Sequence, residues 1–265
     1  MSLELLPSVH LGRLADMKRF YDANNVVDVL WTSGWDSTFR VLYALIVESR
    51  VVRPHYLIDW RRKSTGIELA RMAEIASVVA EKFPSVVLAP LIISPIPDLP
   101  AGDPLVLAYK RARMHAFLGS QYLWLAKYAE TFPGIELCVH RDDRAYYFVS
   151  RLENPSCPNE FARLFGGFSF PVIGLTKAEM RDIARQVGFL DILERSWFCH
   201  DPLPSGDPCG LCNPCCYAIE EGMEYRVGHV GRRNHRFRWI LRPARKLLLK
   251  TGDLVGLSWR GRGNA

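Results

Sequence analysis

Short apolar runs alternate with segments whose apolar residues recur at helical spacing over the first 190 residues. Buried strands are predicted where the runs fall, at Val26–Trp31, His55–Ile58, Val86–Leu88 and Ile135–Val139. Helices are predicted over residues 38–49, 67–83, 105–130 (with an interruption near Gly119) and 176–188. This alternation predicts an α/β fold, a doubly wound parallel sheet with helices on both faces.

Two segments do not fit the alternation. Residues 94–104 contain four prolines and are predicted to be irregular. Residues 141–170 mix aromatics with glycine and proline, and we interpret them as a substrate-facing loop with a helix in it. We find no apolar run long enough to span a bilayer and no secretory signal, so we expect a soluble, cytoplasmic protein without membrane contact.

Charge is distributed unevenly along the 265 residues. The formal net charge is +6, from 34 basic and 28 acidic residues. Residues 226–265 hold eleven of the basic residues and one acid, which leaves 23 basic and 27 acidic residues in the remainder. We therefore divide the chain into an α/β domain (1–190), a four-cysteine module (191–225) and a basic extension (226–265).

A polar loop, predicted over Thr32–Ser37, connects the first strand to the first helix. Unpaired amides and the helix dipole at a helix N-terminus attract anions. Gly34 permits close approach, neighbouring hydroxyls can bind phosphate oxygens, and Asp36 suits Mg²⁺. The alternative is that these residues only cap a helix. The sequence lacks the Gly-Lys-Ser/Thr ending of a Walker A loop.

The loop resembles the PP-loop of N-type ATP pyrophosphatases, Ser-Gly-Gly-x-Asp-Ser. Gly34, Asp36 and Ser37 match it, whereas Thr32 and Ser33 replace the first Ser and the first Gly. The resemblance implies an ATP-binding fold of that class. Its expected nucleotide-binding residues are Trp31, Thr32, Ser33, Gly34, Trp35, Asp36, Ser37 and Thr38, together with Ile58 and Asp59 at the end of the second strand.

Five of the seven cysteines lie between residues 199 and 216. Cys199, Cys209, Cys212 and Cys215 provide the four thiolates of a closed, structural zinc site. Disulfides and an iron–sulfur cluster are the alternatives. Cys216 is either an exchangeable ligand or an ordinary side chain, and His200 is a further potential substitute.

The loop and the cysteines together resemble 7-cyano-7-deazaguanine synthases over residues 26–218. The segment from Cys209 to Cys215 fits that family's Cys-Gly-x-Cys-x-x-Cys pattern. Looser matches are Asp59-Trp60, Glu68, Arg113 with Phe117, His140 to Asp143, and Thr176 to Glu179. Ser196 and Met114 depart from the pattern, and the family's substrate loop between 142 and 160 is not recovered.

The resemblance implies that ATP activates a 7-carboxy-7-deazaguanine as its adenylate and that ammonia then gives an amide. A second adenylation yields the nitrile. Asp36, Ser37, Arg113 and Lys177 are the expected catalytic residues, with ATP, Mg²⁺ and Zn²⁺ as cofactors. We expect a homodimer.

Three alternatives remain open. The enzyme could stop at the amide, or join the acid to an amine of a partner such as a protein. The cations and aromatics of residues 232–239 are also compatible with a tRNA-modifying PP-loop enzyme. A non-enzymatic zinc-ribbon nucleic-acid binder would leave the phosphate loop without a purpose.

Overall fold

The computed structural model describes residues 25–243. This part of the chain forms two compact units. The first comprises residues 25–59 and 68–196, and the second comprises residues 60–67 and 197–243. Among the helices of the described residues, none combines the length and the apolar character that crossing a bilayer requires.

The first unit contains a sheet of five parallel strands. The strands are β1 Val26–Leu30, β2 Val51–Ile58, β3 Ile92–Pro95, β4 Ile135–Glu136 and β5 Phe168–Ser169. Their order across the sheet is β3-β2-β1-β4-β5, and every adjacent pair is parallel. The prediction of an α/β fold with a parallel sheet is confirmed.

Helices follow the strands in alternation. They are α1 Trp35–Ile46, α2 Thr65–Lys82, α3 Pro104–His115, α4 Gln121–Ala129, α5 Tyr146–Val149, α6 Asn159–Phe165, α7 Lys177–Val187 and α8 Leu190–Leu193. The second unit contains α9 Asn213–Glu220, a 3₁₀ turn Glu224–Arg226 and α10 His229–Arg236. The capping box predicted from Thr176 and Glu179 is present at the start of α7.

Helices contact both faces of the sheet. On one face, His55 Nδ1 of β2 lies 2.8 Å from the hydroxyl of Tyr128 in α4. On the other, Glu136, which pairs with Val29 of β1, accepts two hydrogen bonds from Arg40 of α1 at 2.6 and 2.9 Å. Side chains alternate between faces along a strand, so α1 and α4 lie on opposite sides of the sheet.

The prediction of a strand at Val86–Leu88 is wrong. The third strand is Ile92–Pro95, and Leu88 forms only an isolated bridge with Val52. The strand includes Ser94 and Pro95, which were predicted to be irregular. An edge strand tolerates proline because one of its sides has no partner strand, and β3 is such an edge.

Two other predicted boundaries are wrong. The second strand begins at Val51 and not at His55, although it contains Pro54. Pairing with β3 starts only at His55, so the N–H that Pro54 lacks is not needed there. Helix α1 begins at Trp35, three residues before the predicted start at Thr38. The predicted interruption near Gly119 is confirmed, because α3 ends at His115 and α4 begins at Gln121.

Candidate nucleotide and metal sites

The loops after β1 and β4 lie side by side at the carboxyl end of the sheet. From β1 the chain first builds β2 and β3 on one side, and then returns to build β4 and β5 on the other. In open α/β sheets, ligands bind in the crevice where the strand order reverses in this way. The crevice between β1 and β4 is therefore the expected ligand site, and the predicted phosphate loop follows β1.

Ser33 has two unusual features in the loop after β1. Its backbone φ of 54° lies in the left-handed region, which costs about 1–2 kcal/mol for a residue with a Cβ. Its side chain is fully buried, at 0% exposure, and its hydroxyl has no hydrogen-bond partner among residues 25–243. A buried hydroxyl without a partner costs a further ~1–3 kcal/mol. Both features are typical of a functional site.

The neighbouring hydroxyls stabilise the loop itself. Ser37 Oγ donates to the Gly34 carbonyl at 3.4 Å and accepts from the Thr32 N–H at 3.5 Å. Thr38, also fully buried, accepts a hydrogen bond from the Trp31 indole at 3.0 Å. Gly34 is the N-cap of α1. The helix start at Trp35 corrects the predicted loop and leaves the first-turn amides without intrahelical acceptors.

Asp36 lies in the first turn of α1 and faces the loop after β4. One of its carboxylate oxygens, Oδ1, is buried without a hydrogen-bond partner in the described chain. The other, Oδ2, lies 3.8 Å from Nε2 of His140, which is also buried. A carboxylate with a buried, unpaired oxygen is a suitable ligand for Mg²⁺.

Further polar groups surround Asp36. Burial raises the pKa of Asp143 above its usual range, and the charge of Asp36 raises it further, whereas the Ala145 N–H, His140 and Lys177 lower it. Burial also raises the pKa of Tyr122, with added contributions from the Asp143 and Asp36 carboxylates. The site therefore holds two carboxyl groups in a partly desolvated environment, which a cation would stabilise.

Of the remaining predicted site residues, three lie near the crevice and one does not. Lys177, the first residue of α7, is within electrostatic reach of Asp143. Ile58 ends β2, next to β1, and Asp59 follows it. Arg113 instead lies exposed on α3, with its guanidinium 5.7 Å from the Tyr109 ring centre.

His140, Asp143 and Tyr122 were not predicted as site residues. The available signal was that the His140–Asp143 segment follows a strand, but the sequence does not reveal that this strand is the neighbour of β1. Tyr122 follows a turn within what was predicted as one helix, and nothing in the sequence marks it.

A cavity of about 260 Å³ lies elsewhere in the first unit. His115, Tyr147, Arg151, Cys157 and Phe161 are among its lining residues, and no residue of the loop 32–38 is. Arg151 stacks 3.8 Å from the Tyr147 ring centre. Buried polar atoms without a partner occur at Ser33 and Asp36, whereas no lining residue of this cavity has one among the described residues, so the loop after β1 is the better candidate for a phosphate site.

The second unit brings together the four predicted metal ligands. The Sγ atoms of Cys199, Cys209, Cys212 and Cys215 all lie within 4.8 Å of one another. Cys209 Sγ is 3.9 Å from Cys215 Sγ, and Cys212 Sγ is 3.8 Å from Cys199 Sγ. Tetrahedral zinc with Zn–S bonds of ~2.3 Å requires sulfur–sulfur distances of about 3.8 Å. The four thiols could therefore hold a metal ion such as zinc.

The four thiols form hydrogen bonds with one another. Hydrogen bonding with the other thiols, Cys199 first, lowers the pKa of Cys209. The same contacts raise the pKa of Cys199 and of Cys215. All seven cysteines are free thiols, so the disulfide alternative is wrong for this structure. Cys216 lies outside the cluster, and its Sγ accepts a hydrogen bond from Arg242 at 3.2 Å.

No protein-family model matches this chain, and no curated protein sequence matches it either. The chemistry of the two sites is therefore the basis for inferring function.

Proposed function

We propose that the chain is an adenylate-forming enzyme of the PP-loop class, similar to 7-cyano-7-deazaguanine synthases. The observation that carries this proposal is Ser33, with its strained backbone and its buried, unpaired hydroxyl beside the N-terminus of α1. In the motif that the loop resembles, this position is glycine, which adopts a positive φ without strain. The left-handed backbone at Ser33 thus supports a PP-loop conformation.

Each group at the crevice has a part in binding ATP. The first-turn amides of α1 and the Ser33 hydroxyl would donate hydrogen bonds to phosphate oxygens. Asp36, with Asp143 nearby, would hold Mg²⁺, which when bound offsets the charge of the phosphates. Lys177 adds positive charge at the rim. Ser37 orders the loop through Gly34 and Thr32.

The proposed reaction needs mainly positioning and charge stabilisation from the protein. The substrate carboxylate attacks the α-phosphorus of ATP, the bond to the β-phosphate oxygen breaks, and pyrophosphate leaves. Ammonia then attacks the acyl carbon, loses a proton and displaces AMP to give the amide. A second ATP adenylates the amide oxygen, and loss of AMP and a proton gives the nitrile. Preorganised donors at the phosphates stabilise the charge that develops in each displacement.

We further propose that the four-cysteine cluster holds structural zinc. Four thiolates fill a tetrahedral shell and leave no position for water or substrate. The second unit has a small core around Trp197 and three of the cysteines, so zinc binding would supply much of its folding free energy.

Product analysis tests the proposal. The protein is incubated with ATP, Mg²⁺ and 7-carboxy-7-deazaguanine, with and without ammonia, and the products are identified by mass spectrometry. We expect AMP and pyrophosphate, with the nitrile formed only when ammonia is present. An amide as the final product would favour the alternative reaction, in which the enzyme stops at the amide. An absence of AMP with this and related aromatic acids would contradict the proposal.

A further inference from the structure

The second unit carries a basic segment, residues 229–242, that is attached directly to the cysteine cluster. Asn234 of α10 donates a hydrogen bond to the Cys209 carbonyl at 3.1 Å. Farther along, Arg242 Nε donates to the Leu211 carbonyl at 2.7 Å. The two contacts anchor the middle and the end of the segment to the loop that carries the cysteines.

A close backbone crossing also fixes the start of α10, ahead of both anchors. A Cβ added to Gly210, which has a φ of +73°, would lie 1.8 Å from the Gly231 carbonyl oxygen. A Cβ added to Gly231 would lie 2.4 Å from the Pro208 carbonyl oxygen. Only glycine fits at either position, so α10 packs directly on the cysteine loop and its orientation on that loop is defined.

The side of α10 that does not face the cysteine loop is strongly basic. Arg232, Arg233 and Arg236 are exposed there. Residues 226–243 contain six arginines and no acidic residue. Neither Arg233 nor Arg236 forms an ion pair within residues 25–243, so their charge is available to an external anion.

Exposed aromatic rings follow the arginines. Phe237 is 46% exposed and Trp239 is 71% exposed. Guanidinium groups bind phosphates in a bidentate manner, and exposed aromatic rings stack on unpaired bases. Together they provide the two contacts that single-stranded nucleic acid requires.

We propose that this surface, defined by Arg232, Arg233, Arg236, Phe237 and Trp239, binds RNA that contains unpaired bases. Unpaired bases are ordinary features of RNA loops and ends, and proteins read them by stacking and by contacts with the backbone. An anionic membrane fits less well, because an interfacial helix needs a wide apolar face. α10 has a single apolar side chain, that of Val230, and the other exposed apolar side chains of the segment, Phe237, Trp239 and Ile240, follow it.

Fluorescence anisotropy tests the proposal by measuring RNA binding to the full-length, zinc-loaded protein in the absence of ATP. The probe is a labelled 20-nucleotide unstructured RNA, titrated at 50–300 mM KCl. We expect log K to fall with log salt by ~0.7 for each phosphate contacted. The triple variant Arg232→Gln/Arg233→Gln/Arg236→Gln should reduce that slope by about 2 and weaken binding at least tenfold at 100 mM salt. Trp239→Ala should weaken binding about tenfold with an unchanged slope.

The control is Lys110→Gln/Arg163→Gln/Arg185→Gln, which removes the same charge from exposed positions of the first unit. It should retain nearly all of the affinity, and both triple variants should keep one zinc per chain. An equal loss in the control, equal binding of DNA of the same sequence, or binding to phosphatidylserine vesicles but not to RNA would each overturn the proposal. Because the assay contains no ATP, its result does not depend on the proposed ATP chemistry.

Discussion

His140 presents its Nε2 to the carboxylate of Asp36 across the crevice between β1 and β4, at 3.8 Å from Oδ2. The opposite ring nitrogen, Nδ1, accepts a hydrogen bond from the Asp142 N–H at 3.2 Å. An accepting Nδ1 carries no proton, so the neutral imidazole has its proton on Nε2. His140 therefore acts towards the crevice as a hydrogen-bond donor and not as a base.

This orientation leads to a prediction for two variants of His140. We expect His140→Ala to lower kcat/KM for pyrophosphate release about 10- to 100-fold, because the N–H that faces the Asp36 carboxylate, the proposed Mg²⁺ ligand, is lost. His140→Gln retains an N–H donor and should keep most of the activity. His229→Ala, an exposed histidine of the second unit, is the control. Equal losses in the Ala and Gln variants would contradict the donor role.

Ser33 allows strain and ligand binding to be separated. Ser33→Gly removes both the strain and the unpaired hydroxyl, so we expect the free energy of unfolding to rise and the KM for ATP to increase. Ser33→Ala keeps the Cβ at a positive φ and loses only the hydroxyl. It should increase the KM similarly, and its free energy of unfolding should be about 1 kcal/mol lower than that of Ser33→Gly, because only Gly relieves the strain. Urea unfolding and initial rates measure the two effects, and an unchanged KM in both variants would exclude Ser33 as a phosphate ligand.

The buried pair of Arg40 and Glu136 connects α1 to β4 beneath the site. Both residues are almost fully buried, at 4% and 6% exposure. We expect Glu136→Ala to lower the free energy of unfolding by about 3–5 kcal/mol, because it leaves a buried guanidinium with only Glu48 as a partner. Asp182→Ala, which breaks the exposed pair with Arg185, should cost less than ~1 kcal/mol. If the two variants lost a similar free energy of unfolding, burial of the Arg40–Glu136 pair would not be what makes it important for stability.

The cysteine cluster offers a control within one helix. Cys215 and Cys216 are adjacent residues of α9, but only Cys215 belongs to the ligand set. We expect Cys215→Ser to abolish stoichiometric zinc binding and to unfold the second unit, whereas Cys216→Ser should retain one zinc per chain. Elemental analysis and circular dichroism provide the readouts. Loss of zinc from the Cys216 variant but not from the Cys215 variant would show that Cys216, and not Cys215, is the fourth ligand.

Apolar periodicity predicted the class of fold but not the boundaries of its strands. The strand β1 and the long helix α2 have clear patterns, and the structure contains both. The third strand was placed too early, because the apolar run 86–88 resembles a strand more closely than Ile92–Pro95 does. Both segments lie along β2, because Leu88 bridges Val52, but only Ile92–Pro95 forms a continuous ladder with it. Which segment forms that ladder depends on the neighbouring strand and not on the segment alone.

The candidate sites differ in how far the sequence predicts them. The four cysteines are close in sequence, so their spacing alone identified a cluster that the structure assembles. The crevice joins Asp36 to His140, more than one hundred residues apart. Its composition depends on strand order, which periodicity does not contain.

A variant of Asp36 distinguishes the proposed phosphate site from the cysteine cluster. We expect Asp36→Ala to reduce pyrophosphate release at least 100-fold, because the group proposed to hold Mg²⁺ is lost. Its zinc content should stay at one per chain. Asp182→Ala, at an exposed position of α7, should leave turnover unchanged. Normal turnover by the Asp36 variant would contradict the proposed role.

A crystal structure of the protein with a non-hydrolysable ATP analogue and Mg²⁺ tests the central claim most directly. We predict phosphate oxygens within hydrogen-bonding distance of the Ser33 hydroxyl and of the first-turn amides of α1, with the metal ion at Asp36. A nucleotide bound elsewhere, with the Ser33 hydroxyl still unpaired, would contradict the account.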